Sequence, residues 1–99
     1  MAANVAERLW QLAEGTELHW RRLDDEWVVF DVSSGDTHHL DLISAAVLMC
    51  LEAGPLDLDG LVAAIASELR LPSRADLTTR VKTLLEQLSR LGVVEPVEP

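Results

Sequence analysis

Three histidines and one cysteine are the residues of this 99-residue chain whose types could do chemistry. His38 and His39 are adjacent in Thr37-His38-His39-Leu40, a short β-type run, so their side chains point to opposite faces of a strand. They cannot easily share a metal ion. His19 lies on another strand and could approach one of them, but a zinc site usually wants three or four ligands and would have to borrow an aspartate. Cys50 falls on the apolar stripe of a helix, where free cysteine behaves as a small hydrophobe. A nucleophilic role would need an activating partner and access. Asp24, Asp25, Glu26, Asp31, Asp36 and Asp41 form an acidic series around strand ends, with turn and cap roles and no EF-hand spacing. The chain has no phosphate loop, HExxH, paired CxxC or GxSxG. The expectation is a protein that is not an enzyme and holds no metal or other cofactor.

The elements around these residues are better defined. Trp27-Val28-Val29-Phe30-Asp31-Val32 is aromatic and β-branched, as a half-buried strand requires. Ser33-Ser34-Gly35-Asp36 is turn chemistry, with Gly35 able to take positive φ. Residues 37–40 return as a short strand, and Leu18–Leu23 supplies an earlier one, with Leu18 and Trp20 on one face. Asp24-Asp25-Glu26 turns the chain between strands one and two. After Asp41 the hydrophobic period changes from 2 to 3.6.

Three helices follow. The first runs near 42–53, with Asp41 as N-cap, Gly54-Pro55 as the stop, and an apolar surface nearly all round. The second runs near 58–70 after Asp57, with Leu58, Leu61, Val62, Ile65, Ala66 and Leu69 on one stripe. The third runs near 74–91 after Ser73, with Leu77, Val81, Leu84, Leu88 and Leu91 as core positions. Val93–Pro96 reads as an extended tail. Residues 4–14 read as a short helix in which Val5, Leu9 and Leu12 share a face before Gly15. The reading is one α+β domain over 1–99, with residues 1–16 as an N-terminal arm and 17–96 as the core. The core is a three-stranded antiparallel sheet followed by three helices. Phe30, Leu40, Val47, Leu51, Leu61, Ile65, Leu84 and Leu88 are expected inside it.

The formal charge of −9 is uneven: residues 1–69 carry −10, residues 70–90 carry +3, and residues 91–99 carry −2. A duplex-binding surface needs a net basic face, so nucleic acid is not expected as a partner despite the locally basic third helix. A single cysteine excludes an internal disulfide, and no signal-peptide pattern or membrane span is present, which suits a cytoplasmic protein without a membrane partner. A hairpin running straight into a helix leaves a strand edge near the helical layer, and such an edge can accept a peptide as an extra strand.

Glu26-Trp27-Val28-Val29-Phe30, Ser34-Gly35-Asp36-Thr37-His38, and Leu40-Asp41 before an apolar helix resemble the PqqD-like family of peptide chaperones, or RiPP recognition elements. SGDTH resembles in particular the branch found beside an HPr-kinase-related protein, the HPr-rel-A type. The resemblance covers roughly Leu18 to Pro96. It implies a winged-helix-like arrangement and a role in the biosynthesis of modified peptides. It also implies that a precursor's leader peptide lies along the third strand and against the third helix, to be presented to a modifying enzyme or HPr-kinase-related protein. On this chain the peptide-binding residues would be Thr37, His38, His39, Leu40, Leu77, Arg80, Val81, Leu84 and Gln87. His39 departs from the usual pattern by adding a titratable group at the strand edge. Two other readings attach to the same elements. Helices two and three resemble a helix-turn-helix, which would make the chain a winged-helix DNA-binding regulator. A free third strand could also pair with itself and give a homodimer.

Overall fold

In the computed structural model of the chain, residues 8–71 and 74–97 are described. Leu18–Leu23 (β2), Glu26–Asp31 (β3) and Asp36–Leu40 (β4) form one antiparallel sheet in the order β2-β3-β4. The turn before β4 is built by Asp31 and Gly35: Gly35 takes φ +80°, and its N–H donates to the Asp31 carbonyl at 2.8 Å. Three helices follow, Leu42–Glu52 (α1), Leu58–Leu69 (α2) and Arg74–Arg90 (α3). Both ends of all six elements lie within one residue of the sequence expectation, and the fold is α+β and winged-helix-like as expected.

The caps explain why the helices start where they do. The Asp41 carboxylate accepts from the Ser44 N–H at 2.8 Å, and that of Asp57 from the Gly60 N–H at 2.7 Å. Gly60 fits closely there: a Cβ would sit 3.0 Å from the capping Asp57 oxygen and 3.2 Å from the Leu56 side chain, which would have to give way slightly. α2 ends at Arg70, which adopts left-handed φ and donates its N–H to the Ala66 carbonyl. The expected N-cap of α3, Ser73, lies outside the described residues.

The helical reading of residues 4–14 is overturned where it can be followed. Leu9–Leu12 (β1) is a strand, and residues 4–7 lie outside the described residues. β1 is the centre of a second sheet between Leu56–Asp57 (β5) and the C-terminal Val94–Pro96 (β6). Its partners are some 45 and 85 residues away in sequence, so local helical spacing could not reveal it. Trp10, which falls beside the expected helical stripe, is 5 % exposed and belongs to the core. Gly15 takes positive φ in the turn after β1, where the Thr16 N–H donates to the Ala13 carbonyl at 3.0 Å.

One face of β3 also differs from expectation. Val29 is buried and Phe30 points outward, 40 % exposed. Trp27 to Val32 offers apolar residues at both parities, and the aspartate at 31 makes the inward set look like the polar one. Asp31 is nevertheless buried at the strand end, where one carboxylate oxygen accepts from the Ser33 N–H at 3.0 Å and hydroxyl at 2.6 Å. On α3 the buried stripe includes Leu85 and stops before Leu91, which is exposed. The remaining expected core residues, from Leu40 and Val47 to Leu84 and Leu88, are buried.

Candidate functional site

β4 is the outer strand of its sheet; among the described residues its ladder partner is β3, with Val28 opposite His39, Val29 opposite His38 and Phe30 opposite Thr37. His38 therefore faces inward with Val29, and His39 faces outward with Val28. The two histidines are on opposite faces as expected, and no group of three or more His, Cys, Asp or Glu side chains among the described residues could hold a metal. The His39 Nδ1 lies 2.8 Å from a Glu26 carboxylate oxygen, a diagonal contact across the outer face. Thr37 is exposed, while Leu40 at the end of the strand is buried.

α3 contributes two kinds of residue. Leu77, Val81 and Leu84 point into the core, and Val81 has no exposed surface. Arg80, Thr83 and Gln87 lie on a flank at helical spacings of three and four, and all three are exposed. Thr83 donates its hydroxyl to the Thr79 carbonyl at 3.0 Å, a bond within the helix. Arg80 links the helix to the strand. Its guanidinium pairs with the Asp41 carboxylate, at the point where β4 ends and α1 begins. The expected residues thus fall on two elements joined at one end: β4 offers main chain, and α3 offers a basic and amide-bearing flank.

Asp41 is legible in the sequence as a cap but not as the partner of Arg80, because the two are 39 residues apart. Partial burial pushes its pKa up, but the Ser44 backbone and side-chain hydrogen bonds and the Arg80 charge together outweigh that and hold it below the usual value. The Ser33 hydroxyl is the main cause that lowers the pKa of Asp31. Cys50 is half-buried, and burial, with the neighbouring Glu68 carboxylate, pushes its thiol up, away from the reactive thiolate. No helix among the described residues is long and apolar enough to cross a membrane.

An edge strand whose end is tied to the third helix by the Asp41–Arg80 pair, in a winged-helix-like arrangement of strands and helices, frames the candidate residues. The family model of coenzyme PQQ synthesis protein D (PqqD) matches residues 26–94, from β3 into β6. The chain belongs to the PqqD family. Its fold is similar to the solved structure of TbiB1 in complex with the TbiA(beta) leader peptide, with a TM-score of 0.66 and 20 % identity over 90 % of this chain and 99 % of that one. No curated protein matches the chain.

Proposed function

We propose that this chain is a non-catalytic adaptor that captures a precursor or leader peptide by strand addition to β4 and presents it to a modifying enzyme or HPr-kinase-related protein. The observation that carries the reading is the edge position of β4 together with the Asp41–Arg80 pair that ties α3 to its end. An extended peptide beside Thr37, His38, His39 and Leu40 would satisfy the outward main-chain groups of the edge. Its side chains would then lie towards the exposed flank of α3, beside Arg80, Thr83 and Gln87, with Leu77 and Leu84 buried behind that flank. Val81 supports this wall from beneath. Membership of the PqqD family supports the reading, as does the likeness in fold to TbiB1, which was solved in complex with a leader peptide.

The test is calorimetric titration of the chain with a short precursor-like peptide encoded beside its gene, in acidic and neutralised versions. Arg80→Glu should weaken the acidic peptide by tenfold or more, which is about 1.4 kcal/mol, and leave the neutral one nearly unchanged. Equal affinities of the wild-type chain and Arg80→Glu for the acidic peptide would remove α3 from the site.

A further inference from the structure

α1 inverts the usual arrangement of a surface helix. From Leu42 to Leu51 it has no charged side chain, and its polar side chain, Ser44, is turned inward at 6 % exposed. The solvent side is left to Leu42, Ala46, Met49 and Cys50, which recur at i, i+4, i+7 and i+8. Leu42 is 56 % exposed. This stripe is one wall of a trough of about 380 Å³; Trp27 of β3 and Leu69 of α2 also line it. The small side chains of Ala46 and Ala64 keep it open. A volume in this range suits a cluster of bulky apolar side chains, and a contiguous apolar surface of this kind marks an interaction site.

Charge decides between the occupants. Glu68 is the charged side chain that lines the trough. The whole chain carries −9. A second copy would bring an equal net negative charge to a trough lined by a carboxylate. A partner that is apolar at the centre of the contact and basic at its border meets no such opposition. A trough walled by two helices takes an amphipathic helix along its length.

We infer that the α1–α2 trough is a second docking site, for an amphipathic helix of a partner protein whose bulky apolar side chains are flanked by lysine or arginine. It shares no residue with β4 or the flank of α3, so a peptide on the edge strand and a protein on the trough can be held together. The inference rests on α1, α2 and Trp27, and would survive failure of the peptide reading.

The probe is a synthetic helical peptide with leucines at i, i+4, i+7 and i+11 and lysines on either side, with a companion in which glutamates replace the lysines. Amide and indole shifts of the full chain are followed during titration, and sedimentation of the chain alone gives its oligomeric state. The lysine peptide should shift Trp27, Ala46, Met49 and Leu69 and bind about tenfold tighter than the glutamate peptide. Ala46→Arg should abolish the shifts, and Glu68→Lys should remove the lysine preference while leaving the spectrum dispersed. Shifts confined to other surfaces, no preference between the peptides, or no binding at millimolar peptide would overturn the inference. So would a dimer of the chain alone that Ala46→Arg dissociates, since the occupant would then be a second copy.

Discussion

Arg80 and Asp41 are paired across two elements, and the same carboxylate caps α1. One Asp41 oxygen accepts from the Ser44 N–H at 2.8 Å and the other meets the Arg80 guanidinium. The start of α1, the end of β4 and the exposed flank of α3 are thereby fixed to one another. A substitution at Asp41 removes both contacts at once, whereas one at Arg80 leaves the helix cap in place.

Asp41→Ala should destabilise the fold by about 0.5–2 kcal/mol, the range for loss of an N-cap, and Asp41→Asn by less, because an amide still caps. The pH dependence has a definite sign. The folded-state pKa of Asp41 is depressed, so the unfolded chain binds more protons across the window between that value and the ordinary one of about 3.9. The stabilisation is present above the ordinary value and is lost as pH falls through the folded value. Asp31 has the same sign. Urea denaturation between pH 7 and pH 3 should show a fall in stability at the acid end that is shallower in Asp41→Asn. Parallel curves for the two proteins would show that Asp41 does not titrate differently on folding.

Two leucines of α3 separate the core from the surface. Leu85 is fully buried and Leu91 is 60 % exposed. Leu85→Ala should cost about 2–5 kcal/mol in urea denaturation, and Leu91→Ala should stay within about 0.5 kcal/mol. A large loss at Leu91 would mean that the C-terminal turn of α3 packs against something, as it would in a dimer.

These contrasts show what the sequence could and could not disclose. The main sheet and helices are legible because their signals are local: alternation in residues 18–23, the SSGD turn, aspartate caps and Gly-Pro stops. β1 is not, because LWQL acquires its strand character from β5 and β6, far along the chain. Phe30 reads as an inside residue because its side chain is the larger hydrophobe, whereas the sheet's inner face is set by register, with Val29 between Trp20 and His38. For the candidate site, the edge strand and the Arg80 flank follow from element order. The Asp41–Arg80 pair and the trough beside Trp27 depend on tertiary packing and leave no local signal.

The two histidines of β4 give a prediction about main chain rather than side chain. In an antiparallel edge strand, successive N–H groups alternate between the neighbouring strand and solvent. Proline at 38 and proline at 39 should therefore behave differently. The one that removes an N–H directed at β3 should lower the melting temperature. The other should remain folded and lose peptide affinity. Thr37→Ala, on an exposed outer position, should change affinity by no more than about 0.5 kcal/mol. Thermal melts beside titrations distinguish these cases, and a folded variant of each proline that binds as the wild type does would remove β4 from the site.

The central claim is that peptide adds to the edge of β4 against α3, and amide hydrogen exchange with and without a precursor peptide tests it most directly. Strand addition predicts that alternate amides of residues 37–40, either Thr37 and His39 or His38 and Leu40, gain strong protection. It also predicts chemical-shift changes at Arg80, Thr83 and Gln87. Protection confined to β1, β6 or α2, with the amides of residues 37–40 exchanging at their free rate in a saturated complex, would contradict it.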